Sequence, residues 1–149
     1  MNIAKAAIVA PVCVASLCTA MLSGIGLMAA PAKPAELDPA WAKILVQVKS
    51  TLDGTLQPCY FWAPEEAKTN AVPLIVGLHT WSHDYLSTGH YGTVLNYARK
   101  RGWAMVGPNF RGPNKTPPAC GGDPAVQDIV DAVNYAKAHV KIEIGRAHV

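Results

Sequence analysis

Charge is scarce in this chain. Lysine and arginine number 13 and aspartate and glutamate 10 among 149 residues, leaving a net charge of +3 with no basic cluster of the size nucleic acid needs. The one basic run, Arg99-Lys100-Arg101, stands before Gly102. That is how a helix ends, with cations complementing the dipole and glycine stopping the turn. Nucleic acid is therefore not an expected partner. The 4 cysteines include no CxxC pair and no Cys/His spacing of the kind zinc uses. Internal repeats are missing, and the alanine-rich start is the one low-complexity stretch, which excludes solenoids and arrays. A length of 149 residues suits one domain and is marginal for a large α/β one.

Half of the residues are hydrophobic, and the amino terminus holds a disproportionate share of them. Met1 to Ala32 reads as an export signal: Lys5 supplies the positive start and Ala6 to Met28 carries no charge. Ala30-Pro31-Ala32 puts small residues at the two positions a signal peptidase inspects, so cleavage is expected before Lys33. The apolar stretch exceeds a usual signal core, and an uncleaved membrane anchor is the alternative. A lipoprotein signal wants a small residue before its cysteine, whereas Cys13 follows Val12 and Cys18 follows Leu17. The expected location is periplasmic or extracellular, with no membrane contact beyond this segment. Cleavage leaves Cys59 and Cys120, an even pair that an oxidising compartment can bridge; the alternative is two separate small buried residues.

Residues 33–48 read as a linker and lead-in, with Trp41, Ile44, Leu45 and Val48 at helical spacing. The Asp53-Gly54 turn signal predicts a hairpin between Val46–Thr51 and Leu56–Ala63. The stretch that organises the rest is Val72 to Asp84, VPLIVGLHTWSHD. Branched residues apolar on both faces predict a strand buried between two helical layers, with Pro73 at its tolerant start. A helix over Tyr91–Lys100, a buried strand over Trp103–Gly107 and a long proline-rich loop over Pro108–Gly122 follow. Asp123 as N-cap and Pro124 at the first position then open a helix to His139, with Val126, Ile129, Val130, Val133 and Ala136 as its expected buried stripe. The fold class is α/β: antiparallel lead-in strands, then a parallel βαβα sheet.

In such sheets ligands bind outside the carboxyl ends of the strands. The cluster His79, Thr80, Trp81, Ser82, His83, Asp84 after the organising strand is thus the place to look for chemistry. A main-chain N–H there is suited to stabilising charge on a carbonyl oxygen during acyl transfer. The plainer reading makes His79 a core histidine satisfied by neighbouring backbone and Trp81 a packing residue. His79, His83, Asp84 and His90 lack a ligand spacing and read as a polar surface, so no metal and no cofactor are expected.

LIVGLHTWSHD, GWAMVGPNFRGP and ACGGDPAVQDIVDAVNYAKAHVKI, in this order after paired antiparallel strands, resemble the first half of an α/β-hydrolase. More narrowly they are similar to the catalytic domain of prolyl-oligopeptidase-like serine peptidases and esterases. The resemblance covers about residues 49–142. It implies that the loop after the third strand supplies one N–H to an oxyanion hole. Carried over, His79 matches the loop histidine, Thr80 stands where glycine is usual, and Trp81 is the candidate donor. Thr80 departs from the pattern, because a β-branched residue does not enter positive φ as glycine does. Asn109 and Arg111 fall where that family lines its active-site rim.

The family's nucleophile sits in a GxSxG elbow with an acid and a histidine following, and GxSxG occurs nowhere here. His148 precedes every place a nucleophile would stand and is not a triad histidine. Residues 144–149, IGRAHV, are what a widely used sequencing-library adapter encodes in one frame, followed by a stop. The expectation is a reading frame that ran into adapter near Glu143, with 143–149 an adapter-derived tail. The sheet would then lack its nucleophile strand and everything beyond, leaving the organising strand with an open edge. The parent is expected to be an exported serine hydrolase of peptide, carboxylic ester or sugar-ester substrates, and this chain inactive alone. The competing function class is a non-catalytic binding or interaction module on the same scaffold.

Overall fold

The computed structural model describes residues 37–148, with side chains through Glu143. The export-signal reading of Met1 to Ala32, with Cys13 and Cys18, lies outside the described residues. No helix among the described residues is long and apolar enough to cross a membrane.

A four-residue helix, α1 (Pro39–Ala42), leads into strands β1 (Leu45–Lys49) and β2 (Leu56–Trp62). Asp38 caps α1 by accepting from the Ala40 amide at 2.7 Å. The hairpin turn is tied by Asp53, whose Oδ1 accepts from the Thr55 amide at 3.0 Å and the Thr55 hydroxyl at 2.7 Å. Gly54 sits there at φ +76°, where a side chain would be strained. Then come β3 (Val72–Val76), α2 (Thr88–Arg101), β4 (Ala104–Pro108), α3 (Asp123–His139) and β5 (Ile142–His148). Together the strands make one mixed five-stranded sheet in the order β1-β2-β4-β3-β5. β2 pairs antiparallel with both β1 and β4, while β3 is parallel to both β4 and β5.

Side chains alternating across the sheet feed a core on each face. Val72, Leu74 and Val76 of β3 join Val48, Cys59, Ala104 and Val106 beneath Ala132 and Ala136 of α3. Tyr60 and Met105 face the other way, under Tyr91, Leu95 and Ala98 of α2. The three-layer arrangement is the one expected for a strand apolar on both faces. Each fully buried aliphatic side chain such as Leu74 contributes roughly 1.5–3 kcal/mol. Gly107 lets the layers close: a Cβ there would stand 2.7 Å from the ring of Tyr91, which is itself held by its hydroxyl on the Pro108 carbonyl at 3.0 Å. Gly102, at φ +66°, ends α2 as expected.

Three expectations are corrected. The edge of β3 is not open, because β5 pairs with it, Val72 opposite Ile142 and Ile75 opposite His148. Unpaired main-chain groups recruit an extended segment with little regard to its side chains, and the pairing is irregular between Val72 and Leu74. Helix α3 starts one residue earlier than its Asp-Pro signal suggests: Gly122 is the N-cap, without a side-chain bond, and Asp123 lies in the first turn. Its buried face is also rotated. Ala125, Asp128, Asp131, Ala132 and Ala136 are buried, while Val126 and Val130 are 52% and 44% exposed. The rotation follows from the two aspartates, which serve the β1–β2 turn described below.

Candidate functional site

Beyond β3 the Gly77 amide still donates to the Val106 carbonyl at 2.8 Å, and a Cβ at Gly77 would stand 3.3 Å from Val94. This continued pairing sets His79 against the start of the loop after β4. The His79 ring is 6% exposed and stacks on Phe110, centroids 3.9 Å apart. Its Nε2 lies 2.8 Å from the Asn109 carbonyl and its Nδ1 3.1 Å from the Thr80 carbonyl. Both ring nitrogens thus face main-chain oxygens. His79 thereby ties the loop after β3 to the loop after β4, the contact with neighbouring backbone that its reading as a core histidine describes.

Thr80 and Trp81 are exposed, Trp81 by 65%. Trp81 does not pack; its carbonyl accepts from the Asn114 amide at 2.9 Å. The amides of Thr80 and Trp81 meet no acceptor among the described residues. Thr80 is not among the residues with positive φ, so the β-branched residue in place of glycine is unstrained there. A cleft of about 440 Å³ is lined by Thr80, with His79, His83, Ser87, Thr88, Gly89 and His90, and Trp81 follows this wall in the chain. Ser87 is the N-cap of α2 and makes no side-chain cap bond, and no acidic residue occupies the first turn. The positive end of the α2 dipole therefore opens on the cleft and favours negative charge there.

The loop carrying these groups is tied down at its far end. Asp84 accepts from the Leu86 amide at 2.9 Å, Tyr85 donates its amide to Asn109 Oδ1 at 3.1 Å, and the Tyr60 hydroxyl donates to the Tyr85 carbonyl at 2.7 Å. Asn109 thus joins the loops after β3 and β4 with both its carbonyl and its side chain.

Arg111 does not line the cleft. With Phe110 it adopts positive φ, 30° for Phe110 and 78° for Arg111, a conformation that costs on the order of 1–3 kcal/mol per residue and needs an anchor. The guanidinium provides one. Nε and NH2 form a fork on Asp128 at 2.7 and 3.0 Å, NH1 reaches Asp53 at 2.6 Å, and NH2 reaches the Ser50 hydroxyl at 3.1 Å. The hydrogen bond from Arg111, then those from Thr55, hold the Asp53 carboxyl well below the usual carboxylate range. Bonds to Asp53 and Asp128 in turn push Arg111 above its ordinary value. Alongside, Asp131 accepts from the Thr51 amide at 2.7 Å and its hydroxyl at 2.9 Å. Two buried aspartates of α3 thus clamp the β1–β2 turn and the loop after β4. Sequence reasoning missed Asp128 and Asp131, which lie off the helix's apolar stripe and so carry no local signal of burial.

The two described cysteines are not bridged. Cys59 is buried on β2 and Cys120 is exposed before α3. Burial pushes the Cys59 thiol up to about 12. Among the described residues no group of three or more His, Cys, Asp or Glu side chains converges to hold a metal ion. His83 and His90 share the cleft but not a ligand geometry.

The site therefore offers unpaired amides and a helix N-terminus at the end of a buried strand. Among the described residues no Ser or Thr hydroxyl of the cleft is hydrogen-bonded to a histidine ring, so no activated nucleophile stands beside these donors.

No family model matches the chain, and no curated protein matches it. Among solved structures it is similar to a protein of Klebsiella pneumoniae subsp. pneumoniae MGH 78578 described as a dienelactone hydrolase. The identity is 15% and the TM-score 0.45, over 70% of this chain and 47% of that one. The chain thus spans about half the length of that structure.

Proposed function

We propose that this chain is the amino-terminal part of an exported serine hydrolase of the α/β-hydrolase type, prolyl-oligopeptidase-like, acting on a peptide or a carboxylic ester. Sugar esters are within that class. The observation that carries the reading is the strand order β1-β2-β4-β3, with β3 and β4 parallel, and a cleft beyond the carboxyl end of β3. In such a protein the free Trp81 amide, with Thr80 beside it, is one half of an oxyanion hole, and the uncapped start of α2 adds to the same field. His79 and Asn109 are positioning residues: they set the height of the Trp81 amide and do not touch substrate.

The nucleophile and the second oxyanion donor belong to a GxSxG elbow, and the acid and histidine to sequence beyond it; these 149 residues contain no such elbow. The chain alone is accordingly inactive, since an oxyanion donor without a nucleophile has no acyl-enzyme to stabilise. The test is a full-length clone treated with a fluorophosphonate probe. Covalent labelling supports the reading; a folded protein that takes no label sinks it and favours the non-catalytic binding module. The chain as given should turn over p-nitrophenyl acetate no faster than buffer.

A further inference from the structure

The last turns of α2 frame a second recess, sharing no lining residue with the cleft beyond β3. Ile75, Thr93, Val94, Tyr97 and Trp103 line an apolar hollow of about 260 Å³. Thr93 and Tyr97 also border an adjoining hollow of about 440 Å³, whose other walls are Asn96, Lys100 and Arg101. The shared walls make one groove with an apolar inner end and a cationic outer end.

The cations there face no acid. Among the described residues Arg99, Lys100 and Arg101 make no ion pair. The Arg101 guanidinium lies 3.7 Å from the centre of the Tyr97 ring, and Tyr97 meets Trp103 edge-on at 5.5 Å. A guanidinium laid on an aromatic face keeps its in-plane N–H donors available to an oxyanion. Tyr97 remains 40% exposed, a large ring left in water against an apolar wall. Complementing the helix dipole accounts for the cations but not for the aromatic-walled hollow that adjoins them.

We propose that this groove binds a soluble amphiphilic carboxylate, an alkanoate of medium chain length. Its chain lies against Ile75, Val94 and Trp103, and its carboxylate meets Lys100 and Arg101. Charge complementarity selects the anion. The size of the apolar hollow selects a single short chain over a lipid surface, which needs a broad basic or apolar face.

The experiment is calorimetric titration of the full chain with octanoate, hexanoate and octan-1-ol. Octanoate is expected to bind one to one and at least tenfold more tightly than octan-1-ol. Hexanoate should bind about tenfold more weakly than octanoate, each buried methylene being worth about 0.8 kcal/mol. The double variant Lys100→Gln/Arg101→Gln should lose about tenfold in octanoate affinity with its circular dichroism unchanged. Thr93→Trp, an exposed position that fills the groove, should abolish binding. Equal affinity for the alcohol, undiminished binding in either variant, or no saturable binding overturns the proposal. So does attachment to phosphatidylglycerol vesicles in the absence of octanoate binding, which makes the face a membrane contact.

Discussion

The ring of His79 lies 3.9 Å from that of Phe110 and within 9° of parallel, while its Nε2 stands 2.8 Å from the Asn109 carbonyl. One imidazole thereby joins the ends of the two parallel strands that frame the cleft.

Replacing that ring has a graded cost. His79→Ala loses the stack and leaves a cavity, and should destabilise the fold by about 2–3 kcal/mol. His79→Phe keeps the stack, and the Asn109 carbonyl still accepts from the Gly112 amide at 2.8 Å, so a loss of about 1 kcal/mol is expected. Urea titration followed by circular dichroism measures both. Equal losses in the two variants would mean the stack contributes nothing.

The Arg111 clamp predicts an acid sensitivity. Arg111→Met strands a buried Asp128 carboxylate and should cost about 3 kcal/mol, whereas Arg111→Met with Asp128→Asn should cost less than the single change. Asp53 has a depressed folded-state pKa, chiefly through its bond from Arg111, against an ordinary value of 3.8. Its contribution is therefore fully present above the ordinary value and is lost as pH falls below it toward the folded one. Asp53→Asn should flatten the fall in stability below pH 3.8, read as urea midpoints across a pH series.

The two described cysteines should differ in reactivity. With Cys13 and Cys18 replaced by serine, a thiol reagent should titrate Cys120 in the native protein and Cys59 only after denaturation. Cys59 is 1% exposed, with its thiol pushed up to about 12. A melting temperature that falls on adding dithiothreitol would show a bridge the structure does not contain.

Strand β5 should be needed for cooperative folding. A chain stopped after Lys141 keeps only the bond from the Val72 amide to the Lys141 carbonyl on that edge of β3, an apolar strand with no charge to discourage association. It should aggregate or melt without a sharp transition, while the chain through Val149 melts cooperatively. Light scattering and calorimetry of the two distinguish these outcomes.

Much of the fold was legible in the sequence because its signals are local. The Asp53-Gly54 turn, the apolar run before His79, the Gly102 stop and the periodicity of α2 and α3 each depend on neighbours within a turn or two. What escaped was non-local. Arg111 reads as a rim residue until Asp53, 58 positions away, and Asp128 close over it. Asp128 and Asp131 read as the solvent side of a helix until the β1–β2 turn arrives to be bound. Trp81 reads as either a packing side chain or an amide donor; its ring is exposed, and its amide meets no acceptor among the described residues. β5 had no strand signal of its own, since its place is set by the edge of β3.

The most direct measurement is the nucleotide sequence of the natural gene across and beyond the codon for Ile142. The account predicts an apolar strand running directly into Gly-Xaa-Ser-Xaa-Gly, with an acidic residue and a histidine further on. A stop codon encoded in the genome after Val149, or a continuation with no serine elbow, would contradict it.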